Sequence, residues 1–539
     1  MAPALLPWLL LVATGLHGID FGFHWDEDHH TGTVRTAIQR GVPLPGEYRY
    51  PSVSFWLALA GAMPEIIAGD AGDEEGRAAV LVAVGEKRVR LRTRTLFLLV
   101  SSLAALWVHA AVWVWRRRAV EALAAAAVLA LSWEVAYHLR WIAPDGVLMM
   151  FAAATLAACC SAVARPARRL ALPLAAVCAG LACGTKWPAG LLLAPVLLAA
   201  WQARPPAASP GAHAPRSTAA ALRALAPRLA GLVAIFAATY LVTTPGTLLE
   251  ARTFLDSVRL QQGVYSRGHL GHTVSGPFDH LGRVLEYFAL AFGSRFALLS
   301  LAVFAAFAGG VAALVRESRS RALLVLVFPV LYLAFFAFFP VMIVRNYLVL
   351  APFFALLTAR GLVAAADALR AGAAGPWGAR ALLGLASLVA VANGAWLVWA
   401  SDSVVRFRDR APIAPAARYL DAQLDAHPDA RFAVSASVRQ RLAALDGRSR
   451  PNLIDGPLDD ARAAVFHASE SYAAILGATP RHDLTSTWFG PFEVNFNYYP
   501  SWLGADRIVV MPVEHYPRRR FLRPEHMPPG LRPGANQDP

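Results

Sequence analysis

Long apolar runs separated by short clusters of arginine recur through the first 400 residues of this chain, and no other feature limits its fold so strictly. In lipid, a segment must satisfy its own backbone N–H and C=O groups, so runs of this kind are read as helices packed side by side across a bilayer. Composition agrees: at 57% hydrophobic residues over 539 positions, and a mean hydropathy of +0.44, the chain is too apolar for a soluble fold of its size. The formal charge of +14 raises the question of a nucleic-acid partner. Much of the arginine, however, lies in the short loops where membrane topology requires it, so the charge reports orientation and no nucleic acid is expected. Cys159, Cys160, Cys178 and Cys183 all fall within apolar runs, which implies no disulfide framework.

The expected spans lie near residues 4–19, 95–115, 120–136, 146–164, 170–183, 188–201, 229–243, 287–315, 322–339, 347–366 and 381–400, about eleven in all. The run 53–68 is short and carries Pro64 and Glu65, so it reads as an interfacial helix. With the N-terminus inside, the basic loops at 116–118, 165–169, 204–228, 316–321 and 360–380 all face the cytoplasm. Counting 53–68 as a span would put every one of them on the wrong side. The exception is the set Arg77, Lys87, Arg88, Arg90, Arg92 and Arg94, which then lies in a long outer loop, where the rule is weaker. The first run has no basic leader and no convincing cleavage site, so it is read as a retained span. Loop 204–228, rich in Ala and Pro, reads as a connector. Beyond residue 400 the composition becomes that of a soluble chain, with strand-like runs at 432–434, 463–466 and 507–511 and a helical pattern at 414–426, the marks of a small α/β domain.

This topology sorts the polar residues. Asp26 to His30, Arg140 with Asp145, Lys186, the loop 245–286 and Arg345 all fall at the outer ends of their helices, although none was used to set the topology. The stretch 21–51 is the densest: Asp26, Glu27 and Asp28 open a helix, with Asp26 as its N-cap and the acids complementing the helix dipole, and Gly41 stops it. A solvated, well-capped juxtamembrane helix is the competing explanation.

Asp145, after Pro144, opens a span, as an acid commonly does at a helix N-terminus. With its polar neighbours counted, it is also a candidate site residue. Lys186 sits in the tight connection CGTKWPAG, and Lys87 is the only other lysine in a chain that otherwise uses arginine. A fixed ammonium there suits a phosphate or pyrophosphate, and equally a cation snorkelling to the interface. Arg345 offers the same pair of readings. His29 and His30, beside three acids, are potential ligands for a divalent metal, with His269 and His272 as further candidates. The spacing matches no zinc motif, however. Nucleotide-binding glycine motifs and a GxSxG elbow in a strand context are absent, which argues against nucleotide-driven and serine-hydrolase chemistry.

Taken in order, these residues resemble the GT-C superfamily of polyprenyl-phosphate-sugar-dependent glycosyltransferases, in particular the branch of protein O-mannosyltransferases and the aminoarabinose transferase of lipid A (glycosyltransferase family 39). Asp26 and Glu27 match the acidic pair of the first outer loop. Tyr48, Tyr50 and Pro51 approximate the "YxPPL" helix start, with Ser52 and Val53 where Pro and Leu are usual. Arg140 and Asp145 match the second acidic motif, and Gly180, Gly184 and Lys186 a glycine-rich stretch closed by lysine. Arg345, Tyr347 and Pro352 match "RYxxxxxP", interrupted by Asn346.

The resemblance implies a mainly α polytopic membrane protein of the GT-C fold, with about eleven transmembrane helices in residues 1–400, a first extracytoplasmic loop at 20–94, and an extracytoplasmic α/β domain at 401–539. It implies a multi-pass enzyme of the cell membrane that moves a sugar from a polyprenyl-phosphate donor to a lipid, glycan or protein acceptor outside, with inversion. Asp26 is then the base, Glu27 and Asp145 position acceptor or sugar, and Lys186, Arg345 and Arg140 hold the donor phosphate. Tyr48, Tyr50 and Pro51 position the acceptor or the loop. Some relatives use a divalent metal, which leaves His29 and His30 open as ligands. The rival readings are a transporter or flippase of lipid-linked sugars, for which repeats and midplane charges are expected, and a non-catalytic assembly subunit.

Overall fold

The computed structural model describes residues 2–20, 27–69, 74–203, 218–268, 273–293, 296–372 and 375–409, and then 413–435, 438–439, 442, 448–454, 460–467, 482–483 and 508–511. The chain divides into two compact units, one of Met1–Gly263 with Ser275–Ser401, the other of Val264–Val274 with Asp402–Pro539.

The first unit is helical. Among the described residues, the helices Lys87–Arg116, Pro144–Ala164, Leu225–Thr243, Ala297–Glu317, Arg319–Ala337, Val344–Ala371 and Gly375–Trp399 are long and apolar enough to cross a membrane. Ala119–Ala130 and Trp133–Leu139 form an eighth candidate, bent by 66°. Ser132 accounts for the bend: its side chain caps the second helix by accepting from Val135 N and donates to Ala291 O at 2.8 Å. The shorter apolar helices are Ala4–Leu16, Val53–Ala68, Ala171–Cys183 and Trp187–Gln202. Against the about eleven crossings expected, seven helices, or eight with the bent pair, have the length and composition of a span among the described residues, as suits a multi-pass membrane protein. Helices Ala297–Glu317 and Ala351–Ala371 pack backbone against backbone. A Cβ on Gly310 would lie 1.8 Å from Leu357 O, and one on Gly361 would lie 1.7 Å from Ala306 O.

One expected span is corrected. Residues 287–315 are not one helix: Pro277–Gly293 is a separate helix carrying Asp279, Arg283 and Glu286, and the crossing helix begins at Ala297. Three charges within three turns make the earlier segment costly to bury in a bilayer core. The expected outer loop 69–94 is also largely helical, with Glu74–Val84 followed by Lys87–Ser102, which leads directly into the span.

The second unit holds a five-stranded sheet: β1 (Phe432–Val434), β2 (Leu453–Ile454), β3 (Ala463–His467), β4 (His482–Asp483) and β5 (Ile508–Met511), in the order β2-β1-β3-β5-β4. β2, β1 and β3 run parallel, and β5 is antiparallel to β3 and β4. Phe432, Val434, Val465 and Val510 on one face pack with Ile413, Ala416 and Leu420 of helix Ile413–Ala426.

Candidate active site

Three connections far apart in sequence deliver charge to one buried place. Pro144 starts a helix at its first position, so Asp145 falls in the first turn, where the dipole favours a carboxylate. Lys186 follows the end of Ala171–Cys183 and precedes the short helix Trp187–Leu192. Gly184 permits that tight passage, since a Cβ there would lie 2.6 Å from Thr243 Oγ1. Arg345 and Asn346 lie on the short helix Val344–Leu350. Tyr332 donates to Asn346 O at 2.8 Å, and the Tyr347 hydroxyl meets His280 Nε2, whose other ring nitrogen lies 3.0 Å from Phe339 O. This framework holds the turn.

Lys186 Nζ donates to Asp145 Oδ1 at 2.8 Å and to Asn346 Oδ1 at 2.5 Å, and Arg345 Nε stands 3.6 Å from Asp145 Oδ2. Asp145, Lys186, Arg345 and Asn346 are all buried, none more than 6% exposed. Asp145 Oδ2 has no hydrogen-bond partner among the described residues. Asn346, which interrupts the sequence pattern, is thus a ligand of the lysine. An amide beside an arginine in an apolar turn was the available signal.

The segment between the first helix and residue 69 closes one side of this cluster. Lys186 Nζ sits 5.7 Å from the Tyr50 ring centroid, and His30 stacks on the same ring at 5.5 Å. His29 meets Tyr50 edge-on and pairs with Glu47 at 3.6 Å. Burial, with the neighbouring His29 adding to it, pushes the His30 pKa down to about 3, so its imidazole is neutral at physiological pH. Its Nε2 has no hydrogen-bond partner among the described residues. Among those residues, no three His, Cys, Asp or Glu side chains gather closely enough to hold a metal. Asp26, His269 and His272 lie outside the described residues.

Glu27 and Arg140 are bonded elsewhere. The Glu27 carboxylate accepts from Arg94 Nε at 2.8 Å, Arg94 Nη2 at 2.5 Å and Ile142 N at 3.2 Å. The Arg140 guanidinium donates to Thr14 O and His17 O, each at 3.1 Å, satisfying the end of the first helix. Tyr48 donates to Glu250 Oε2 at 2.5 Å, and Arg40 bonds the other oxygen of the same carboxylate. Burial is the main cause that raises the Tyr48 phenol above its usual range. The Glu250 carboxyl is held below its usual range by Arg40 and Tyr48, although burial opposes them. Pro51 is buried at the start of the loop's second helix. Next to it, Ser52 supplies an N–H that a proline would lack, and that N–H donates to Thr244 Oγ1 at 3.3 Å. Val53 N donates to Gly184 O at 2.9 Å and Trp56 Nε1 to Thr243 O at 2.8 Å, mooring the helix to the connection that carries Lys186. A cavity of about 110 Å³ lies among the loop helices, lined by Glu27, Thr31, Arg35, Arg90 and Thr93 among others.

Fold and site together define a polytopic membrane protein with a buried carboxylate–cation cluster where apolar helices end. A family model described as dolichyl-phosphate-mannose-protein mannosyltransferase matches residues 82–244, a stretch that contains Asp145 and Lys186. The chain is therefore similar to the GT-C superfamily of polyprenyl-phosphate-dependent glycosyltransferases, as its motifs imply. Among solved structures, ArnT from Cupriavidus metallidurans bound to undecaprenyl phosphate is similar at 16% identity and a TM-score of 0.44, over 94% of this chain and 97% of that one. The oligosaccharyltransferase AglB from Archaeoglobus fulgidus, in complex with an inhibitory peptide and a dolichol-phosphate, is similar at 12% identity and a TM-score of 0.46, over 87% and 70%. No curated protein matches the chain in sequence.

Proposed function

We propose that this chain is a membrane glycosyltransferase that moves a sugar from a polyprenyl-phosphate donor to an acceptor outside the cytoplasm, with inversion at the anomeric carbon. One observation carries the reading: Lys186 and Arg345 converge on Asp145 in a buried site, with Asn346 as a further ligand of the lysine. A compact ammonium and a planar guanidinium suit a phosphate that arrives from the bilayer. In the transfer step the acceptor oxygen bonds to the anomeric carbon as the bond from that carbon to the phosphate oxygen breaks. Polyprenyl phosphate leaves with the electron pair, and Lys186 and Arg345 stabilise its charge. Asp26 is assigned as the base that takes the acceptor's proton. Asp145 keeps the cations placed and turns one oxygen toward the reacting sugar.

Glu27 and Arg140 are assigned as braces of this frame. A divalent metal held by His30, with His29 beside it, would need ligands from outside the described residues, among which no three such side chains gather. A metal bound there would act as a Lewis acid toward the phosphate. Residues 1–400 are assigned as the catalytic membrane domain and 401–539 as an extracytoplasmic domain.

Full-length protein in proteoliposomes, supplied with mannosyl-, glucosyl- or arabinosyl-phospho-undecaprenol and host membrane acceptors, tests the reading. Wild type transfers at least one of these sugars, and Asp26→Asn abolishes transfer while leaving membrane insertion intact. A wild-type chain that neither binds undecaprenyl phosphate nor transfers any of the sugars overturns it. Orientation is tested by Asp429→Cys, on an exposed turn: an impermeant thiol reagent labels it in intact cells, and protection there reverses the topology.

A further inference from the structure

The short helix Trp133–Leu139 carries a second group of buried ionisable and aromatic side chains. Glu134 and His138 stand one turn apart on one helix face. His138 Nε2 lies 2.9 Å from Glu134 Oε2, and the Tyr287 hydroxyl donates to the same oxygen at 3.4 Å. The far atoms of this group are not satisfied in the same way. Glu134 Oε1, His138 Nδ1 and Trp133 Nε1 are buried and have no hydrogen-bond partner among the described residues. Buried polar atoms in folded proteins are nearly always bonded, so an acceptor, a ring nitrogen and a donor left open within two turns of one helix call for a polar partner from outside the chain.

The surroundings narrow the chemistry of that partner. Trp141 meets the Tyr137 ring edge-on at 4.5 Å and the His138 ring at 4.6 Å, and Trp133 lies 5.7 Å from Tyr137. The helix Trp133–Leu139 packs against Pro144–Ala164, whose first turn carries Asp145, so this group lies at the same helix ends as the cluster of Lys186 and Arg345. A lipid tail would leave the open polar atoms unpaired, and a second phosphate would meet the Glu134 carboxylate. A polyhydroxylated ring fits: its hydroxyls donate and accept, and its C–H faces lie against aromatic rings.

We propose that Trp133, Glu134 and His138 form the sugar subsite of the donor, reading the hydroxyls of the ring whose phosphate Lys186 and Arg345 hold. This subsite rests on the chain being a polyprenyl-phosphate sugar transferase, and its test separates the two claims. Full-length protein in nanodiscs is titrated with undecaprenyl phosphate and with mannosyl-, glucosyl- and arabinosyl-phospho-undecaprenol. Glu134→Gln, His138→Gln and Trp133→Phe each weaken binding of the sugar-bearing lipid that wild type prefers by about tenfold, as expected for one hydrogen bond, and change binding of bare undecaprenyl phosphate by less than about twofold. Trp133→Phe removes the indole N–H while keeping an aromatic ring, though a smaller one, so it holds the test open if a Glu134 variant fails to fold.

Equal losses for bare and glycosylated lipids assign these residues to scaffolding and overturn the subsite. So does unchanged binding of both, as when ordered water alone satisfies the open atoms, and so does a wild type that gains no affinity from any of the sugars. A wild type that binds no lipid at all overturns the transferase reading, and the subsite falls with it.

Discussion

Glu27 with Arg94 and Asp145 with Lys186 are both buried carboxylate–cation pairs, yet they are built to different ends. Arg94 grips Glu27 through two nitrogens and donates as well to Ile19 O at 2.7 Å, while Ile142 N adds a third bond to the carboxylate. Both oxygens of Glu27 already accept hydrogen bonds within the chain. Lys186, by contrast, divides its ammonium between Asp145 and Asn346, and Asp145 keeps one oxygen without a hydrogen bond among the described residues. A buried ion pair with every valence used is a brace, whereas one with spare valence can be opened by a charged ligand.

That contrast can be broken most forcefully by deleting each cation. Lys186→Met lowers transfer from a polyprenyl-phosphate sugar by about 100-fold or more, the cost of losing a group that stabilises developing charge, and does so in protein that still folds. Arg94→Met does the reverse. It strands Glu27 and lowers stability by about 3–5 kcal/mol, read as a fall in the thermal midpoint in detergent, while the folded fraction retains its turnover. Adding Glu27→Gln to Arg94→Met restores much of the midpoint, because the uncompensated charge is gone. If Arg94→Met instead abolishes turnover in fully folded protein, the division between brace and site fails.

Asn346→Ala sharpens the same comparison with a smaller effect. The lysine loses one acceptor, and donor affinity shifts by about tenfold, with little change in the thermal midpoint. The least effect concerns pH. His30 has a pKa of about 3 when folded against 6.5 ordinarily, so between those values the unfolded chain binds a proton that the folded chain does not. Its contribution to stability is therefore complete above pH 6.5 and declines as pH falls toward 3, by up to about 1.4 kcal/mol per pH unit. His30→Asn removes that slope, and the difference in thermal midpoint between pH 7 and pH 5 shrinks.

Much of this was legible in the sequence because hydropathy and charge patterns are local. The apolar runs, the strands at 432–434 and 463–466, and the stop at Gly41 needed no partner to be seen. Gly41 has a φ of 64°, and Gly41 N and Val42 N bond back to Ile38 O and Ala37 O as a glycine stop requires. The meeting of Asp145, Lys186 and Arg345 was foreseeable from topology, since all three fall at helix ends on one side. What stayed hidden depends on pairings between distant segments. The Glu27–Arg94 pairing joins residues 67 apart, and the carbonyls that Arg140 serves belong to the first helix. The basic stretch 87–94 also hid its partners: Lys87 pairs with Asp20, Arg88 and Arg92 with Glu65, and Arg94 with Glu27. Glu134 and His138 did carry a signal, an acid and an imidazole four apart inside an apolar run.

The bonds from Ser52, Val53 and Trp56 to Thr244, Gly184 and Thr243 yoke the start of the loop helix to the turn that presents the lysine. Parts tied so tightly travel together. Were the proposed isoprenoid-borne headgroup to reach the lysine, its doorway would lie along a seam of the bundle other than this one.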